Sequence, residues 1–169
     1  YAEDSSTLRG RLCYPGRVQF KQLDEELNFG FAETGSLVVT PDDDKRPLEM
    51  LLERGRKNGL TDLSIIGQEQ IREMEPALNP DLKWALYCKG AGICSPYEMA
   101  IALAENAIKN GVTLLLEHEV LGIRQEQGKF VIETNQGEIR ITRVINAAGV
   151  HADEISQMVG VDDFEILPR

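Results

Sequence analysis

Arg143-Val144-Ile145-Asn146-Ala147-Ala148-Gly149-Val150-His151-Ala152-Asp153 reads as the end of a strand, a tight turn of small residues and the start of a helix. Val144 and Ile145 close a β-type run, and residues 150–158 carry helical character. Small side chains at such a turn let backbone amides come close to a ligand, and the positive end of a helix favours an anionic one. Ala147, Ala148 and Gly149 equally suit close packing of helix on strand, so the local pattern leaves both readings open.

Working outward, three short β-type runs precede the turn, at 119–125, 129–134 and 138–145, with Gly128 and Gly137 at the connections. They predict a β-meander. Before it comes the apolar run 112–116, and before that a helix opened by Ser95-Pro96-Tyr97-Glu98. Serine as N-cap, proline at the first helical position and glutamate three residues after the cap form a capping box. Ile101, Ala104 and Ile108 give that helix an apolar face, and Asn110-Gly111 stops it.

The first ninety residues supply more elements. Leu8, Leu12, Phe20, Leu23 and Leu27 share one helical face over about 6–28, with Ser5 or Ser6 as N-cap, Gly16 on the same face for a close neighbour and a kink expected at Pro15-Gly16. Residues 29–40 predict one bent strand or two short ones around Gly35, ended by Pro41. Asp42, Asp43 and Asp44 suit the start of a helix whose apolar face is Leu48, Leu51, Leu52 and Gly55, stopped by Asn58-Gly59. A strand over 63–66, a short helix over 68–74 and an extended run over 84–88 complete this part, with a flexible turn at Gly90-Ala91-Gly92.

Composition bounds the function. A chain of 169 residues is long enough for a core, and at this size about 70% of the unfolded surface is buried on folding. With 28 acidic against 18 basic residues the formal charge is -10, which argues against nucleic acid as a partner, since that requires clustered Lys and Arg. No apolar run approaches the roughly 20 residues of a membrane span. Three cysteines, Cys13, Cys88 and Cys94, do not make a disulfide framework, and with only His118 and His151 beside them no metal site is expected. The reading is a reducing cytoplasm, with Cys88 and Cys94 as buried thiols. The same scarcity of histidine leaves no Ser-His or Cys-His nucleophile.

A meander leading into Asn146-Ala147-Ala148-Gly149 resembles the flavoprotein oxidoreductases of the D-amino-acid-oxidase superfamily, nearest to their glycerol-3-phosphate-dehydrogenase-like branch. Gly35-Ser36-Leu37-Val38-Val39, Met74-Glu75-Pro76, Gly92-Ile93-Cys94-Ser95-Pro96-Tyr97-Glu98 and Ile166-Leu167-Pro168-Arg169 follow in the family's order, so the resemblance covers nearly the whole chain. It implies an α+β fold: an antiparallel-rich substrate domain with helices, plus a β-meander and part of an FAD-binding domain. The implied partition is 1–90 for the substrate domain, 91–153 for the cofactor domain and 154–169 for a return to the substrate domain.

By the same resemblance, Val120 offers a backbone contact to adenine, and Ala148 and Gly149 approach the diphosphate or ring system of FAD. Pro96 and Tyr97 lie beside the substrate cavity, with first-turn packing as the other reading of Tyr97. The implied reaction is hydride transfer from glycerol-3-phosphate to the flavin. A 2-hydroxy acid such as 2-hydroxyglutarate, or an amino acid, is the alternative within the superfamily, and a non-catalytic binding domain the alternative outside it. No catalytic residue declares itself. Because no Gly-x-Gly-x-x-Gly is present and relatives run on past Arg169, the chain reads as an internal fragment. It is expected to be inactive and without flavin by itself, to pair with further copies through open edges, and to come from a cytoplasmic protein that is at most peripheral to the membrane.

Overall fold

The computed structural model describes residues 3–40 and 42–168. The strand end expected at Pro41 and the last residue of the 166–169 motif lie outside them. The chain forms two compact units, one up to Val112 and one from Thr113.

The first unit is organised by a three-stranded antiparallel sheet. Its central strand β3 (Trp84–Cys88) pairs on one side with β1 (Ser36–Thr40) and on the other with β2 (Leu63–Gly67). Register puts Leu86 opposite Val38 and Ile65, and this face packs with Leu48 and Leu60 into one apolar cluster. Leu48 comes from α2 (Arg46–Lys57), whose buried side is Leu48 and Gly55. The alternate residue Ala85 sits opposite Val39 and Ile66 on the other face, where Ile71 of α3 (Gln68–Met74) closes a second cluster. Ala85 and Leu86 are both 0% exposed, so β3 is covered on both faces. Side chains alternate across a strand with period two, which is why one five-residue run serves two clusters.

Helix α1 (Leu8–Leu27) is capped by Thr7, whose hydroxyl accepts from the Gly10 N–H at 3.0 Å, rather than by Ser5 or Ser6. The close approach expected at Gly16 occurs at Gly10: a Cβ there would stand 2.0 Å from the Asp4 carbonyl oxygen, whereas Gly16 faces open space. Leu8 and Leu12 lie exposed, and α1 makes apolar contact through Tyr14, which packs on the cluster of Leu48 and Leu86, and through Phe20, which meets Phe29 and Phe31. Arg17 forms a two-pronged ion pair with Asp62 (2.5 and 3.4 Å) and donates from Nε to the Gly90 carbonyl at 3.0 Å. The Asp62 carboxylate also accepts from the Gly90 N–H at 2.9 Å. One side-chain pair therefore ties α1, the start of β2 and the turn after β3.

Of the three aspartates before α2, Asp44 meets the helix directly, its Oδ1 accepting from the N–H of Arg46, the first helical residue, at 3.0 Å. Lys45 occupies the cap position without a side-chain bond, Asp44 folds onto Arg46, and Asp43 pairs with Lys83. Asp44 thus serves both the N–H and the guanidinium of Arg46, while Asp43 is committed to the Lys83 ammonium. The long helix is α4 (Pro96–Lys109), with Ser95 Oγ accepting from the Glu98 N–H, and Gly111 following in the left-handed region.

The second unit is the meander, in the order β4 (Val120–Glu126), β5 (Lys129–Thr134), β6 (Gly137–Ile141). Gln127 and Gly128 both have positive φ, the mark of the two-residue hairpin turn that matches strand twist. On one face Arg124 bonds Glu126, Glu133 and Glu138, and Arg140 bonds Glu126 and Glu138. Beneath the Arg124 and Arg140 stems Val131 is fully buried. Strand β6 stops at Ile141, four residues before the predicted end, and Ile145 is 91% exposed. Val144 and Ile145 have strand propensity but no neighbouring strand among the described residues, and a strand needs a partner for its amides. A single 3-10 turn, Gly149–His151, leads into α5 (Ala152–Gln157), which packs on β4. The α+β class holds, with helices beside two antiparallel sheets.

Two outcomes follow from the core and from the ion pair. Leu86→Ala is expected to cost about 2–5 kcal/mol in urea unfolding, the range for a buried leucine that leaves a cavity. The Arg17 guanidinium holds the Asp62 carboxyl below its ordinary 3.8. Its folded-state value is thus the lower one, so the stability it contributes is present above pH 3.8 and is lost as pH falls through the lowered value. Asp62→Asn should be less stable at neutral pH and show a shallower loss of stability on acidification, read from melting temperatures at pH 3 to 7.

Candidate functional site

The turn at 146–149 is shaped by one side chain. Asn146 Nδ2 donates to the Ala152 carbonyl at 2.7 Å and to Ser156 Oγ at 3.0 Å, and its Oδ1 accepts from the Ala148 N–H at 3.1 Å. The Ala148 carbonyl in turn accepts from the His151 N–H. Gly149 has φ +59, a left-handed conformation that a residue without Cβ adopts freely, and an added Cβ would meet nothing within 4 Å. The close-packing reading of Gly149 is thereby answered: open space lies beside it, and backbone angle is what favours glycine. Among the described residues the N–H groups of Ala147 and Gly149 meet no acceptor. The helix that follows is six residues long, so its dipole is a smaller source of field than the predicted 150–158 helix implied.

Val120 lies in the same unit. Glu119 donates its N–H to Asn135 Oδ1 and accepts at its carbonyl from the Asn135 N–H. Backbone groups alternate sides along a strand, so Val120 turns its own N–H and carbonyl to the outer edge of the meander, where β4 has no neighbouring strand. A bulge between Val120 and Gly122 marks the same place. Two features near the turn are local: His151 Nδ1 sits 3.0 Å from Glu154, which pushes its pKa up, and buried Asp153 accepts from the Glu154 and Ile166 N–H groups. Through that last bond residue 166 is held against the start of α5.

Pro96 and Tyr97 lie in the first unit, on the opening turn of α4. Tyr97 is 79% exposed, so first-turn packing does not describe it. The same unit carries a cleft of about 510 Å³ on the sheet face that bears Tyr87, bordered by Thr34, Leu37, Met74, Glu75 and Leu78. Gly35, with φ +75, lies under the Tyr87 ring, which would stand 2.8 Å from any Cβ there. No sequence pattern flagged this cleft, because its wall is assembled from three separate segments. Of the thiols, Cys88 is buried and burial pushes its pKa up, Cys94 is half-buried and Cys13 is exposed, all three unbridged. Among the described residues no group of three or more His, Cys, Asp or Glu is placed to hold a metal ion, and no helix is long and apolar enough to cross a membrane.

Val120 with its outward strand edge and Gly149 with its open flank and unpaired N–H both lie in the second unit. The family model "DAO: FAD dependent oxidoreductase" matches residues 1–169. The chain belongs to this FAD-dependent oxidoreductase family. It is 41% identical over its full length to the glycerol 3-phosphate dehydrogenase of Caloramator mitchellensis, of which it covers 35%. It is 37% identical over 90% of its length to the mitochondrial dimethylglycine dehydrogenase of Rattus norvegicus, covering 18% of that protein. Among solved structures, the FAD-bound L-alpha-glycerophosphate oxidase of Mycoplasma pneumoniae aligns with a TM-score of 0.88 at 26% identity, over 96% of this chain and 44% of that one. The chain thus spans about a third of the curated glycerol 3-phosphate dehydrogenase it matches.

Proposed function

We propose that the protein carrying this chain oxidises glycerol-3-phosphate with FAD as electron acceptor. The observation that supports this above others is the 41% identity over the full chain to a glycerol 3-phosphate dehydrogenase, together with the high structural similarity to an L-alpha-glycerophosphate oxidase. In this reading FAD, when bound, supplies the two-electron acceptor, and the chain holds and orients it. Val120 meets the adenine with its outward backbone edge. Gly149 offers its N–H, and Ala148 its methyl face, to the diphosphate or ring system. Residues 1–90 belong to the substrate side, 91–153 to the cofactor side and 154–169 return to the substrate side, with Pro96 and Tyr97 beside the substrate.

The 37% identity to a dimethylglycine dehydrogenase supports a second reading, an amine substrate oxidised at the same kind of C–H bond. Steady-state rates of the full-length protein separate the two. On glycerol-3-phosphate kcat/KM is expected to exceed that on dimethylglycine, 2-hydroxyglutarate and free amino acids. A higher value on any of those compounds would replace the substrate.

The cofactor role of the turn has its own test. Gly149→Val in the full-length protein places a branched side chain on a left-handed backbone and in the open space beside it, and is expected to abolish flavin retention. Asp43→Ala, on the surface of the other unit, should leave flavin content unchanged. Flavin stoichiometry is measured beside the melting temperature of each variant; a folded Gly149→Val protein that keeps its FAD refutes the assignment.

A further inference from the structure

We infer that Asn146 is a positioning residue: it fixes the turn that faces the flavin by tying it to α5, and so decides which backbone amide is offered to the cofactor. The inference rests on the cofactor reading above and deepens it. Asn146 is solvent-exposed, yet both hydrogens of its amide and its carbonyl oxygen are engaged by the same unit of chain. The two donated bonds run six and ten residues forward, to the Ala152 carbonyl and Ser156 Oγ, and span the first turn of α5. The accepted bond runs two residues forward, to Ala148.

Consequences for the turn are specific. The Ala148 N–H is taken by Asn146 and its carbonyl already accepts from His151, so Ala148 has no N–H left to offer. The neighbouring Gly149 N–H is left without an acceptor among the described residues, and its left-handed φ follows directly on the clamped Ala148. Aspartate at 146 retains the bond to Ala148 but lacks both donors, and its charge opposes the Ala152 carbonyl. Alanine loses all three bonds and leaves the chain from Ile145 to Val150 with no side-chain tie to α5. Ser156 is the second half of the device, although Ala152 still accepts from Asn146 without it.

The experiment uses the flavin-loaded full-length protein with Asn146→Ala, Asn146→Asp and Ser156→Ala. Asn146→Ala is expected to raise the FAD Kd about tenfold, the equivalent of one to two net hydrogen bonds, and to shift the visible absorption band of the bound flavin. Asn146→Asp should fall between it and wild type, and Ser156→Ala should stay within about a factor of three. Melting temperatures of the flavin-free proteins are measured alongside. Wild-type Kd and spectrum in Asn146→Ala overturn the inference. So does a loss of flavin that is fully accounted for by unfolding, with an unshifted spectrum in the folded fraction. If wild type itself binds no FAD, the cofactor reading fails instead. The clamp is then judged from amide exchange at Ala148, which is protected in wild type and unprotected in Asn146→Ala if Asn146 shapes the turn, and alike in both if it does not.

Discussion

Pairing of β3 on both edges and burial on both faces set the frame of the first unit. An N–H or carbonyl removed from water needs a partner, and a strand with neighbours on either side satisfies both rows of its groups at once. Only such a strand can place Leu86 at 0% exposure on one face and Ala85 at 0% on the other. Helices α2 and α3 then have one surface each to cover. The ion pair of Arg17 and Asp62 works at the edge of this frame, where the Gly90 turn would otherwise leave an N–H and a carbonyl to solvent.

The same demand for partners explains what could be read from the sequence and what could not. Strands β2, β3 and β5, helix α3 and the Ser95 cap sit within a residue of expectation, because alternation, capping chemistry and glycine stops are local signals. Val144 and Ile145 carry the same local signal and form no strand, because pairing is not local. Likewise Thr7, Ser6 and Ser5 are chemically alike as caps, and it is Thr7 whose hydroxyl accepts from the Gly10 N–H and donates to the Asp4 carbonyl. In the Asp42-Asp43-Asp44 run Asp44 does meet the first amide of α2, whereas the pairing of Asp43 with Lys83 was visible as residues but not as neighbours.

At the site, the glycine at 149 was legible as a small residue in a tight turn, while its left-handed φ of +59 is seen only in the structure. Asn146 was not singled out, although the sequence holds the clue. Asparagine two residues before a small residue is a frequent way to bond the chain's own N–H and open a turn. The forward bonds to Ala152 and Ser156 depend on α5 folding back beside the turn and have no sequence signature. The 510 Å³ cleft by Tyr87 was invisible for the same reason, being made of side chains from distant segments.

The meander has one charged face. Arg124 and Arg140 are each shared among several glutamates, which leaves the acidic side chains of β4, β5 and β6 committed to one side of the sheet. Exposed pairs of this kind add little stability one by one. Ile123, Ile132 and Ile139 are aligned on the opposite side, and α5 packs on β4. Asp153 anchors α5 to the chain near Ile166, and Asn146 anchors the turn to α5. The turn that carries Gly149 is thus tied through Asn146 to α5, which itself rests against β4, and a one-residue slip in β4 would exchange the two faces of that strand.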